Sequence, residues 1–242
     1  MKVWVTVPTL DEVENVDTLV FRIRSAVEDA HILIVDDGSS DGTADKAEAL
    51  GAELGGIEVL RRPHKMGLGS AYRAGHAIGI ARGYDVMIQI DADLSHDPAA
   101  LPDLLAAVER GADLAIGSRY VPGGRVPNWP KRRLMLSVWG NRYAAFALGY
   151  GVRDSTAGYR AYSASILRKM NIESTHSTGY AFQIEMTYRA LRAGGHIEEV
   201  PISFTDRVRG TSKMSSRIVA EAMTLVTLWA FRDRVLRRGR RG

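Results

Sequence analysis

Val86-Met87-Ile88-Gln89-Ile90-Asp91-Ala92-Asp93-Leu94-Ser95-His96 sets a short apolar run directly against two acids. A run of this length and β-branched content reads as a buried strand that stops where the acids begin. Val3–Val7, Ile32–Val35, Ile57–Leu60 and Leu114–Ile116 have the same character. Helical stripes fall between them: Val16, Leu19, Ile23 and Val27; then Ala71, Ala74, Ile78 and Arg82; then Leu101, Leu104, Leu105 and Val108. Strand and helix in alternation predict an α/β fold, with a mostly parallel sheet covered by helices and right-handed crossovers. Ligands of such sheets bind beyond the carboxyl ends of the strands. The segments that follow each strand are therefore where chemistry is sought.

Past the fifth strand the alternation loosens. Residues 121–133 form a Gly/Pro/Arg-rich loop, Leu134–Leu148 and Gly179–Ala193 read as helices, and His196–Phe204 reads as a strand. A last helix is expected from about Ser216 to Leu236. With no internal repeat and no clear linker, the chain reads as one catalytic-type domain over 1–215 with a helical extension over 216–242.

The 242 residues, 45% hydrophobic and 25% charged, exclude wholesale disorder. The absence of cysteine excludes disulfides, thiolate metal sites and a cysteine nucleophile, and it fits a reducing compartment. The N-terminal apolar run is too short for a signal sequence, and no stretch is long enough to span a bilayer. Of the net charge of +4, residues 232–242 supply +5, from six Arg against Asp233, which leaves the rest of the chain at −1. A basic tail on a near-neutral body does not suit a nucleic-acid groove.

Residues i and i+2 of an extended chain project to one side, so Asp91 and Asp93 can converge on one hard cation such as Mg²⁺ or Mn²⁺. The alternative is that Asp93 or Ser95 caps the helix that starts near Pro98. Asp36-Asp37-Gly38-Ser39 ends the second strand, where a carboxylate can accept from a base or a ribose, or else simply build a turn. The first strand runs into Pro8-Thr9-Leu10, so the glycine-rich dinucleotide fingerprint is missing. Gly67-Leu68-Gly69-Ser70 precedes a helix and can bring amides near a phosphate. The six histidines have no ligand spacing and read as surface or satisfied core residues. Two cationic clusters remain: Arg119, Arg125, Lys131, Arg132 and Arg133; and Arg207, Arg209 and Lys213. Arginine forks suit phosphate oxygens, though a run of charge is often only a solvated face.

Taken in order, these segments resemble the inverting family 2 glycosyltransferases, and within them the dolichol-phosphate (polyprenol-phosphate) mannose synthases. The matching stretches are Val7-Pro8-Thr9-x-x-Glu12-x-x-Asn15, Val35-Asp36-Asp37-Gly38-Ser39-x-Asp41-Gly42-Thr43, Lys65-x-Gly67-Leu68-Gly69-Ser70-Ala71-Tyr72 and Asp91-Ala92-Asp93-Leu94-Ser95-His96-x-Pro98. Gly117-Ser118-Arg119-Tyr120-Val121-x-Gly123-Gly124, Gly179-Tyr180-x-Phe182-Gln183-x-Glu185 and the stretch from Glu199 to Lys213 complete the set. The resemblance implies a glycosyltransferase-A fold that transfers mannose from GDP-mannose to a polyprenyl (dolichyl) phosphate. It implies that Pro8, Leu10, Glu12 and Asp37 hold the nucleoside. Asp91, Ala92 and Asp93 would hold the metal–diphosphate, with Ser95 where some relatives place Gln as a third ligand. Arg119, Arg133, Arg207 and Lys213 would bind donor and acceptor phosphates. The sequence departs from the family pattern at Leu10, where an aromatic is common, and at Asp11, usually Asn.

One physical point agrees with this reading. A lipid monophosphate has a second pKa near ~6, so it arrives ionised at neutral pH and needs positioning rather than a general base. The rival readings are a UDP-glucose-dependent transferase acting on the same lipids and a nucleotide-sugar-binding module without turnover. In the last helix, Ile218, Ala222, Leu225 and Trp229 line one face, with Val219, Met223, Val226 and Ala230 adjacent, and the arginines follow. That pattern predicts peripheral attachment to the cytoplasmic face of a membrane, docking on a small integral-membrane partner, or packing on the domain itself.

Overall fold

All five expected N-terminal strands form, each within two residues of its expected ends. The computed structural model describes residues 1–175, 177, 179–206 and 222–232. The elements run β1 (Val3–Thr9), α1 (Val16–Ala26), β2 (His31–Asp36), α2 (Thr43–Leu54), β3 (Ile57–Arg61), α3 (Leu68–Ala81) and β4 (Val86–Gln89). After these come α4 (Leu101–Glu109), β5 (Leu114–Ser118), α5 (Lys131–Leu148), β6 (Arg160–Ser163), α6 (Ala164–Lys169), α7 (Gly179–Arg192) and β7 (Ile197–Pro201). Residues 222–232 are helical. The boundary expected at 215/216, and with it Arg207, Arg209 and Lys213, lies outside the described residues.

The strands form one sheet in the order β3-β2-β1-β4-β6-β5-β7. Every pair is parallel except those of β6, which is antiparallel to both β4 and β5. From β1 the chain steps outward through β2 to β3, then returns to lay β4 on the other side of β1. The crevice between the carboxyl ends of β1 and β4 is therefore a topological switch point, the position where open α/β sheets bind ligands.

Alternate residues of each strand feed two apolar layers. Val5, Val7, Ile32, Ile34 and Ile88 pack with Leu19 and Ile23 of α1 and Leu101 and Leu104 of α4. Trp4, Leu33 and Met87 face the other way, onto Tyr72 of α3 and Phe182 and Met186 of α7.

In α3 the buried stripe is not the expected 71/74/78/82 but Tyr72, Gly75, His76 and Gly79, with Gly69 and Ala71. The helix lies directly on β1: a Cβ on Gly75 would come within 2.2 Å of Thr6, and one on Gly79 within 2.7 Å of Trp4. Pattern reading weights large apolar side chains, whereas this contact depends on their absence.

β6 was not expected. It is four residues long and begins with Arg160, so no periodicity marks it; pairing with Gln89 on one side and Ile116 on the other creates it. α5 begins at Lys131, three residues earlier than expected, immediately after Pro130. β7 ends at Pro201, and the expected strand to Phe204 continues only as isolated bridges, Arg125 with Ser203 and His96 with Phe204.

Candidate active site

The loops after β1 and β2 are stitched to one another. Asp11, in a left-handed conformation (φ 56°), accepts from the Ser40 amide at 2.9 Å and donates its own amide to Ser39 Oγ at 2.9 Å. Asp and Asn both tolerate this conformation and both present an Oδ1 acceptor, so the departure from Asn is small in physical terms. The amide of Glu12 donates to Thr43 Oγ1, and its carboxylate accepts from Asn15 Nδ2 at 2.7 Å. Asp36 serves the turn: Thr9, Gly38 and Ser39 all donate to it. Pro8 lies in β1 and the half-buried Leu10 just beyond its end.

Asp37 is buried and tied to the start of α3. Its Oδ2 accepts the Met66 and Gly67 amides at 3.1 and 3.2 Å, and its carboxylate pairs with buried Arg62. Arg62 in turn donates to Ser70 Oγ at 2.9 Å. Sequence reading missed Arg62. Its only local sign is a second arginine after β3.

Asp91 and Asp93 stand at the switch point, both half-buried, with Ala92 buried between them. The Tyr72 hydroxyl, fully buried on α3, donates to Asp91 Oδ1 at 2.7 Å. Burial pushes the Tyr72 phenol well above its ordinary pKa, and the charge of Asp91, then that of Asp93, adds to the rise. Asp91 thus bonds the phenol directly, and Asp93 is near enough for its charge to bear on it. Leu94 turns left-handed (φ 58°), an uncommon state for a bulky residue, and the Ser95 amide folds back onto Asp93 Oδ1 at 3.1 Å. The Ser95 hydroxyl is buried, 3.5 Å from His96 Nδ1.

These residues fit a divalent cation. Two hard oxygen donors lie two residues apart just beyond β4, and the first faces a small backbone: a Cβ on Gly158 would sit 3.2 Å from Asp91 Oδ2. Among the described residues no group of three or more His, Cys, Asp or Glu surrounds this point. A Mg²⁺-type ion here would complete its shell with phosphate or water oxygens, as such ions commonly do.

The cationic side of the crevice is braced. Arg119, at the end of β5, forks onto Asp154 through Nε (2.7 Å) and Nη2 (2.6 Å), and its amide reaches the same carboxylate at 2.9 Å. Burial of Asp154 works against its charge, but Arg119 outweighs that, and the Asp154 pKa lies below its ordinary value. Glu199 of β7 fixes this turn by accepting the Arg153 and Asp154 amides. Arg119 also faces the rings of Tyr120, Trp129 and Phe204, each centroid between 5.1 and 5.5 Å away. Arg133, in the first turn of α5, stacks 3.9 Å over Trp129 and grips Asp206 at 2.8 and 3.0 Å, while Trp129 Nε1 donates to that same acid. Of the two clusters named from sequence, Arg119 and Arg133 are thus joined through one indole; Arg207 and Lys213 lie outside the described residues.

His96 links the two sides. It is buried between Tyr159 and Phe204; burial, set against the charge of Asp93, pushes its pKa down to about 4. Asp154, Asp206, Trp129 and Tyr72 were not singled out as site residues from sequence. Each acts on a partner far along the chain, and no local pattern records such a pairing.

A glycosyl transferase family 2 profile matches residues 4–170. The polyprenol monophosphomannose synthase of Mycolicibacterium smegmatis is 50% identical over 232 residues, covering 96% of this chain and 88% of that protein. The undecaprenyl-phosphate mannosyltransferase of Micrococcus luteus is 49% identical, covering 97% and 96%. Among solved structures, glucosyl-3-phosphoglycerate synthase from Mycobacterium tuberculosis, in complex with Mn²⁺ and UDP, superposes with a TM-score of 0.64 at 21% identity, over 93% of this chain and 77% of that one. Mannosyl-3-phosphoglycerate synthase from Rubrobacter xylanophilus gives 0.63 at 22%, over 99% and 75%. At such identities the superpositions speak for the fold alone. With two acids at the switch point of a mostly parallel sheet, and relatives matched along nearly the whole length, the chain belongs to glycosyl transferase family 2 and has the glycosyltransferase-A fold.

Proposed function

We propose that this protein transfers mannose from GDP-mannose to a polyprenyl (dolichyl) monophosphate, with inversion at the anomeric carbon, at the cytoplasmic face of a membrane. The observation that carries the reading is the placing of Asp91 and Asp93 at the switch point, with the Tyr72 hydroxyl on Asp91, and the braced arginines at the end of β5 and the start of α5. The printed names of the two relatives support the sugar and the acceptor class.

Pro8, Leu10, Glu12 and Asp37 line the nucleoside end, where Asp37 acts already paired with Arg62. Asp91 and Asp93, with Ala92 between them, would hold Mg²⁺ or Mn²⁺ at the diphosphate end of the donor. Ser95 contributes its amide to orienting Asp93. The chemistry such an ion would supply there is charge neutralisation at the departing diphosphate. A phosphate oxygen of the acceptor attacks C1 of mannose while the bond from C1 to the diphosphate oxygen breaks, and the electron pair leaves with GDP. The attacking oxygen is ionised at neutral pH, so no carboxylate need take a proton. Arg133, Arg207 and Lys213 hold the phosphates, and Arg119 joins them as half of its pair with Asp154. Residues 1–215 do the chemistry and 216–242 attach the enzyme to the bilayer or to a small membrane partner. Among the described residues no helix is long and apolar enough to cross a membrane.

The test is transfer of labelled sugar to a short polyprenyl phosphate, from GDP-mannose and from UDP-glucose, with and without chelator. The expected result is mannosyl transfer that chelation abolishes. Preference for UDP-glucose would overturn the donor assignment, and nucleotide binding without turnover would overturn the enzymatic reading.

A further inference from the structure

Asp91 and Asp93 share a feature that neither needs in order to attract a cation: each has its Oδ1 engaged from inside the protein. Asp91 Oδ1 accepts from the Tyr72 hydroxyl at 2.7 Å, and Asp93 Oδ1 accepts from the Ser95 amide at 3.1 Å. Both donors are held in place. The Tyr72 ring is fully buried, stacked 6.3 Å from Phe182 of α7 and 5.9 Å from His76, one turn along α3. α3 itself is seated on β1 through Gly75 and Gly79, which lie against Thr6 and Trp4. Ser95 is buried, and its carbonyl accepts from the Thr205 amide at 3.1 Å. The second oxygen of Asp91 is walled as well. Oδ2 faces the Gly158 backbone, and Gln89, the last residue of β4, donates its Nε2 to the Gly158 carbonyl and to Gln183 Oε1, both at 2.8 Å. The carboxylate sits between a fixed phenol and a pinned glycine.

We infer that Tyr72 determines which cation the site accepts: by occupying Asp91 Oδ1 it denies bidentate chelation, and so selects Mg²⁺ or Mn²⁺ against Ca²⁺. The inference rests on the proposed function, which sets the cation on these two acids. Tyr72 acts through Asp91 and is a positioning residue rather than a ligand. The chemistry of the ions supplies the discrimination. A Mg²⁺-type ion demands a near-octahedral shell and takes single oxygens from one or two carboxylates, with phosphate and water filling the rest. Ca²⁺ is larger, takes up to about eight oxygens, and commonly grips carboxylates through both of theirs. For Asp91 to bind in that way the phenol bond must break, which leaves a buried hydroxyl without its acceptor. For Asp93 the Ser95 amide is lost in the same way. Among the described residues no third His, Cys, Asp or Glu joins the pair to make up a larger shell. Two acids held to one oxygen each suit the smaller ion.

The test is Mn²⁺ binding to the full chain with GDP present, read from the paramagnetic resonance of free Mn²⁺ and challenged with Mg²⁺ or Ca²⁺. On wild type, Mg²⁺ should displace Mn²⁺ at lower concentration than Ca²⁺ does. Tyr72→Phe, which removes only the hydroxyl, should shift the ratio of those two concentrations toward Ca²⁺ by about tenfold, the worth of a hydrogen bond to a charged group. Gly158→Ala crowds Asp91 Oδ2 and leaves the phenol in place. It should weaken all three ions and keep the wild-type ratio. An unmoved ratio in Tyr72→Phe would overturn the inference, and an equal shift in Gly158→Ala would do so by assigning the discrimination to the turn. Ca²⁺ that displaces Mn²⁺ from wild type as readily as Mg²⁺ does would overturn it without any variant. If wild type binds no Mn²⁺ in the presence of GDP, the cation reading of the site fails and takes the inference with it. Mn²⁺ bound with an unmoved ratio fails the inference alone.

Discussion

The half of the sheet from β3 to β4 and the half from β6 to β7 are built on different principles. Strands β1, β2 and β4 are largely apolar runs, packed on the stripes of α1 and α4 on one face and on glycine-lined α3 on the other, and Asp36 and Asp91 stand at or just beyond the ends of β2 and β4. The other half is organised by buried polar groups. Arg160, fully buried, donates to the carbonyls of Ser155, Ala157 and Gln183 and to the hydroxyls of Tyr162 and Thr187. That one guanidinium shapes the 154–158 turn, which presents Asp154 and Thr156 to Arg119 and the Gly158 backbone to Asp91. Apolar burial fixes where strands lie, whereas directional polar contacts fix where a loop points. The crevice needs both.

The sharpest way to break this division is to strike each half at its centre. Asp91→Asn should cut transfer by about 10³-fold and remove metal-dependent GDP binding, because it deletes one of two charges on the cation. The urea midpoint should move little. Transfer kinetics with isothermal titration of GDP and Mn²⁺ read the effect; an unchanged rate would remove Asp91 from the clamp.

Arg160→Leu should do the reverse and destabilise the fold by about 3 kcal/mol or more, since it leaves several buried acceptors without donors. Urea unfolding measures this. A loss below ~1 kcal/mol would mean that the turn at 154–158 holds its shape without the guanidinium.

Acid sharpens the comparison further, because the halves contain one buried histidine each near the crevice. Burial pushes His76 and His96 down to about 4, against an ordinary value of 6.5. Between those values the unfolded chain binds protons that the folded chain refuses, so stability falls as pH drops from 6.5 toward 4. The slope is about 1.4 kcal/mol per pH unit for each histidine. Asp154, held below 3.8, loses its contribution only at lower pH, in a separate window. Denaturation at several pH values should show this slope, and His76→Phe should remove about half of it.

The smallest effect tests the brace on the outer cation. Asp206→Asn weakens the hold on Arg133 and on Trp129 Nε1, a partly exposed contact. The KM for prenyl phosphate should rise about threefold to tenfold with kcat nearly unchanged. An equal fall in kcat would instead tie Asp206 to the chemical step.

Much of the first half was legible because its information is local. A five-residue apolar run followed by Asp-x-Asp places strand, strand end and acids together. Other local readings needed the fold to complete them. The motif marks Asp37 as a nucleoside acceptor, but its pairing with Arg62 and the Met66–Gly67 amides is visible only in three dimensions. The motif marks Arg119 as a phosphate cation, yet Asp154, 35 residues on, decides how it points. β6 could not be read at all, because its four residues become a strand only between two partners already in place.

The sequence by itself determined the alternation of strand and helix, the acids at the end of β4, the basic tail and the family. Those features are written in neighbouring residues, whose spacing carries the physics. Only the tertiary structure decided that Tyr72 meets Asp91 and that Arg119 and Arg133 flank one indole. Each of these depends on the relative placement of elements distant in the chain, set by the sheet order, which no local spacing encodes.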